Sequence, residues 1–177
     1  MSNGVLSNQS LKEAKYITAL EFAIKMELDG EQYYNEQAMI NKNNPLFPVF
    51  KLLAQEERIH ANILEQYSVQ AEYDLTESEA YSRFKNVFAN MDEFSVEIKS
   101  SPEQIDAYRL ALEKERASIE LYEKMQNDAK SDQDKTLFAF LVEQEKIHYR
   151  IFDDIIQHLI KAEQWVEDAE FGVREEY

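Results

Sequence analysis

The chain repeats itself once, without a gap. Glu27, Tyr34, Phe50, Leu53, Glu57 and His60 recur at a single constant offset as Glu115, Tyr122, Phe138, Leu141, Glu145 and His148. This constrains the fold more than any other feature, because whatever unit the first segment builds, the second must build as well. The repeats cover about residues 17–65 and 105–153, and together they fit one domain spanning 1–177.

The repeated unit reads as a pair of helices. Only 3 glycines and 3 prolines interrupt 177 residues, and they fall where helices should start or stop. Ser10 and Glu13 have the spacing of a capping box, opening a first helix that runs to about Ile40. "NKNNP" breaks the chain, with Asn44 as cap and Pro45 as first residue of a second helix reaching about Glu72. A long connection follows, holding one short helix that Thr76 and Glu79 are placed to cap. Ser101, Pro102 and Gln104 open a third long helix to about Asp128. After the "KSDQD" turn a fourth continues to about Ala162, leaving a tail in which Trp165 and Phe171 are anchor candidates. The expected fold is all-α: a four-helix bundle of two helical hairpins joined by a long crossover, with a short connecting helix and a C-terminal tail.

Heptad spacing identifies the inward faces. The second helix presents Phe50, Leu53, Glu57, His60, Leu64 and Tyr67, and the fourth presents Phe138, Leu141, Glu145, His148, Phe152 and Ile155. The third presents Ile105, Tyr108, Leu112, Glu115, Ile119 and Tyr122. The first presents Ile17, Leu20, Ile24, Glu27, Glu31, Tyr34 and Ala38. Every core stripe therefore carries an acid, and two carry a Glu-x-x-His pair. A buried carboxylate is costly unless it takes up a proton, pairs with a cation or binds a metal. Depth agrees with a shared site: Glu27 precedes the Asn43–Asn44 turn by about as much as Glu57 and His60 follow it, roughly 20 Å along each helix.

Composition narrows the chemistry. The chain has 35 acidic against 19 basic residues, a net charge of −16 and a pI near 4.6, which disfavours nucleic acid as a partner. With no cysteine, thiolate zinc sites, cysteine-held iron–sulfur clusters and a cysteine nucleophile are excluded. The apolar runs are too short to span a bilayer and the polar start lacks a signal-peptide core, so a soluble cytoplasmic protein is expected.

A glutamate and a histidine three residues apart point to one face of a helix and can hold one metal ion or bracket a pair. Two such pairs with two single glutamates form the ligand set of ferritin-like di-iron and di-manganese bundles. "AIKMELDGEQYY" with "EERIH", then "ALEKERASIELY" with "EKIH", resemble the paired motifs of rubrerythrin-type erythrins of the ferritin-like superfamily, over roughly residues 17–160. The resemblance implies two iron ions (Fe2+/Fe3+), with manganese or zinc as substitutes, held by Glu27, Glu57, His60, Glu115, Glu145 and His148. It further implies reduction of hydrogen peroxide, and more slowly dioxygen, in oxidative-stress defence by a homodimer. Tyr34 and Tyr122 match the family's inward tyrosines, which hydrogen-bond to ligating carboxylates.

Two departures from that pattern stand out. Many rubrerythrins carry a second glutamate three residues after the helix-three ligand, and it exchanges with a histidine on redox change. Here that position is Ser118, matched by Gly30 in the first repeat. A rubredoxin domain is absent, so electrons must come from a separate protein, rubredoxin-like or a flavoprotein. Two further readings stand beside the oxidoreductase: ferrous iron oxidation and handling, and a helical module with a structural metal. Glu31 is either a seventh acid near the metals or a solvated residue, and His158, with Ile155 where a paired glutamate would stand, is expected at the surface.

Overall fold

The computed structural model describes residues 8–89 and 102–171, with side chains over 19–86 and 104–161. All regular structure among them is helical: α1 Asn8–Ile40, α2 Phe47–Ser68, α3 Ala80–Ala89, α4 Pro102–Asp128 and α5 Asp132–Phe171. The closest backbone packing is within the hairpins, α1 on α2 and α4 on α5. Between the hairpins runs the long crossover that carries α3.

Two apolar clusters fill the ends of the bundle. One gathers Tyr34, Leu46, Phe50 and Leu53 with Tyr108, Phe152 and Ile155, and Phe84 of α3 joins it. The other gathers Leu20, Ile63 and Leu64 with Tyr122, Leu137, Phe138 and Leu141. Fully burying one such side chain stabilises by about 1.5–3 kcal/mol, so these clusters fix the level at which the polar residues between them must meet. Among the described side chains the inward stripes hold nearly throughout; Ile24, Glu31, Tyr67, Leu112 and Ile119 are only half-buried, and the side chain of Ile17 lies outside the described set.

Helix ends depart from the sequence expectation in five places. Ser10 already lies inside α1, so it is not the N-cap. Helix α2 starts at Phe47, with Pro48 in its first turn, whereas Pro45 lies in the preceding turn. Asn44 shapes that turn, its Oδ1 accepting from the Leu46 N–H at 2.8 Å. The second helix stops at Ser68 rather than near Glu72 because Gln70 takes a left-handed φ of 56°. There the Ala71 N–H reaches Gln66 O at 2.9 Å and the Gln70 N–H reaches Tyr67 O at 3.0 Å, a Schellman ending without glycine.

Helix α3 is capped by Ser78, whose Oγ accepts from the Ala80 N–H at 2.9 Å, while Thr76 bonds to Asp74. Ser131 caps α5 through the Asp134 N–H at 3.0 Å. Helix α5 runs on past Ala162 to Phe171, so Trp165 and Phe171 belong to it; their side chains lie outside the described set, as do Ser101 and residues 172–177.

Candidate metal centre

Six buried side chains converge between the two apolar clusters: Glu27 from α1, Glu57 and His60 from α2, Glu115 from α4, and Glu145 and His148 from α5. They form two groups, each with donor atoms all within 4.8 Å of one another: Glu27, Glu57, His60 and Glu145 in one, and Glu57, Glu115, Glu145 and His148 in the other. Glu57 and Glu145 belong to both. The imidazoles stack, with centroids 5.5 Å apart, and both turn Nδ1 toward the acids. His60 Nδ1 lies 2.9 Å from Glu145 and 3.4 Å from Glu27. His148 Nδ1 lies 3.1 Å from Glu57 and 3.7 Å from Glu115.

The tyrosines tie the hairpins together crosswise. The Tyr34 hydroxyl of the first hairpin donates to Glu115 of the second, and that of Tyr122 donates to Glu27 of the first. Each ring is anchored by its own apolar cluster, Tyr34 stacking on Phe152 and Tyr122 on Phe138. A buried phenol thereby satisfies its hydroxyl and orients a carboxylate in one bond.

This donor set fits cations better than hydrogen bonds. Glu27 Oε2, His60 Nδ1 and both oxygens of Glu145 are buried without a well-directed hydrogen bond. Such atoms are rare in native proteins without a catalytic, ionic or similar reason.

Protons take up part of the charge. Burial first, and then the charge of Glu27, pushes Glu57 and Glu145 well above the usual carboxylate range. Burial also works to raise Glu27, but the adjoining Glu57 carboxyl and His60 imidazole bring it down to about 2. Burial alone would lower both histidines; instead Glu145 and Glu27 raise His60 to about 10, and Glu115, Glu56 and Glu57 raise His148 well above its ordinary value.

Gly30 lets α1 approach closely, since a Cβ there would lie 3.0 Å from Glu57 Oε2. Its counterpart Ser118 donates to Lys114 O within α4 at 3.2 Å. Neither position supplies a donor to the groups above. Glu31 is half-buried and pairs with Arg58 on α2, which removes it from contention as a seventh acid. His158 is exposed and bonds to the Asp154 carbonyl at 2.6 Å.

One participant escaped the sequence reading. Glu56, beside Glu57, is buried, and its Oε2 meets His148 Nε2 at 2.8 Å. A glutamate next to the stripe in a Glu-rich helix gives no signal of its own. The pairing is visible only once the hairpins are docked.

The rubrerythrin family model matches residues 18–156. This chain belongs to the rubrerythrin family. The match spans both repeats, and ferritin-like proteins of this family usually bind two irons. Searches of curated proteins and of solved structures gave no match. No described helix of this rubrerythrin-family chain is long and apolar enough to cross a membrane.

Proposed function

We propose that this protein is a dinuclear non-haem iron oxidoreductase that reduces hydrogen peroxide, or more slowly dioxygen, in oxidative-stress defence. The observation that carries the reading is the sharing of Glu57 and Glu145 between two donor groups, so that the two groups could hold a pair of cations, with Glu57 and Glu145 available to both. Glu27 and His60 would complete one position, and Glu115 and His148 the other. Four carboxylates largely balance two divalent cations, and mixed oxygen and imidazole donors suit iron or manganese, with zinc as a redox-silent substitute. When bound, the iron pair supplies two electrons to the oxidant.

The rest of the work falls to the chain. The apolar clusters above and below keep bulk water from the layer, which strengthens every electrostatic interaction inside it. Tyr34 and Tyr122 hold Glu115 and Glu27 in position through their hydroxyls. With no cysteine for a rubredoxin centre, electrons would arrive from a separate rubredoxin-like protein or flavoprotein. A homodimer is the expected assembly.

Anaerobic loading with ferrous iron should give about two ions per chain. Rapid mixing should then show faster oxidation by peroxide than by dioxygen. One ion or none would remove the dinuclear reading, and faster oxidation by dioxygen with ferric release would replace it with iron handling.

A further inference from the structure

The repeat is broken next to the site, and in one direction. Glu56 and Gln144 occupy equivalent positions, each immediately before a shared glutamate, and both are buried. A single crossover residue grips the two of them. Ser78 Oγ donates to Glu56 Oε1 at 2.6 Å, and the Ser78 backbone N–H donates to Gln144 Oε1 at 3.0 Å. Ser78 is itself fixed as the cap of α3. The free oxygen of Glu56 then meets His148 Nε2 at 2.8 Å, on the side of the ring opposite the Nδ1 that faces Glu57 and Glu115. In the second repeat the corresponding side chain is a neutral amide turned toward the crossover backbone.

A carboxylate on the far nitrogen of a ligating imidazole fixes its tautomer and orientation and makes it a stronger donor. Losing such a partner typically costs 10–100-fold in metal affinity. We propose that Glu56, held by Ser78, makes the two halves of the metal centre unequal, so that the half containing His148 binds a divalent cation first and more tightly. The inference rests on the dinuclear reading above. Glu56 and Ser78 act here as positioning residues: neither need touch an ion, and the proton they fix sits on His148 Nε2 with Nδ1 left free to donate its lone pair.

Calorimetric titration of the metal-free full chain with Co2+ tests this. The wild-type chain should bind in two resolved steps, the tighter one lost in His148→Ala and kept in His60→Ala. Glu56→Gln should weaken the tighter step by about 10–100-fold and leave the weaker step unchanged. Ser78→Ala, which loosens Glu56 without removing it, should shift the same step in the same direction by less, and it stands as the test if Glu56→Gln fails to fold. A merely structural role would weaken both steps together. Equal weakening of both steps, a tighter step that survives His148→Ala, or no effect of either variant would overturn the inference. Failure of the wild-type chain to take up two ions would instead overturn the dinuclear reading beneath it.

Discussion

Glu57→Ala or Glu145→Ala is expected to lose both metal ions, whereas His60→Ala or His148→Ala should lose one. Each shared carboxylate serves both donor groups, and each histidine serves a single group. Removing a shared glutamate leaves each half with three of its four donors and takes away the negative charge that lets two cations sit together. Removing a histidine leaves the other half intact. After loading and desalting, elemental analysis should give near zero ions per chain for the glutamate variants and about one for the histidine variants. Unfolding does not account for such a loss, and the charge balance shows why. Glu57 and Glu145 are pushed toward protonation by burial and by neighbouring charge, so they oppose folding of the metal-free chain at neutral pH. The near-isosteric Glu57→Gln and Glu145→Gln variants should therefore melt at or above metal-free wild type while binding metal poorly. Full occupancy in all four alanine variants would show that these residues are not the ligands.

What could be read from the sequence was what periodicity and repetition encode. Glu27, Glu57, His60, Glu115, Glu145 and His148 all sit on apolar stripes, and a stripe residue has one place to go. Their meeting at one level followed from equal distances to the turns. Glu56 was hidden because it lies one residue off the stripe. One of its oxygens accepts from Ser78, which arrives from the crossover, where no periodicity operates. Helix ends are weakly encoded for a related reason. Gln70 adopts a left-handed conformation that glycine or asparagine would have advertised and glutamine does not. Helix α5 continues to Phe171 because nothing breaks it before Gly172. Which acid keeps its charge when several share two imidazoles is a property of distances across the docked hairpins, which no periodicity encodes.

Metal-free and metal-bound protein should respond to pH in opposite senses. In the metal-free fold His60 is raised from 6.5 to about 10, and His148 is raised too. Each is protonated in the folded chain at pH values where the unfolded chain has released the proton. Stability from these groups is thus fully present below about 6.5 and is lost as pH rises toward about 10. Glu57 and Glu145 act with the same sign, since their raised values let the folded chain hold protons above the unfolded value of 4.5. Glu27, lowered to about 2, acts oppositely, but only below 4.5. From about pH 9 down to about pH 5 the metal-free form should therefore become steadily more stable. One extra proton held by the fold corresponds to about 1.4 kcal/mol per pH unit, and each kcal/mol moves Tm by about 2–4 °C for a chain of this size. Cations demand the reverse, because Glu57, Glu145, His60 and His148 must all give up protons to bind them, so acid competes with metal. The metal-bound Tm should fall over the same range, and the two melting curves should converge on acidification. Thermal melts of both forms in one buffer series would show it, with proton release on loading near neutral pH as an independent check. Parallel profiles for the two forms would mean that these six side chains do not share one buried, proton-exchanging site.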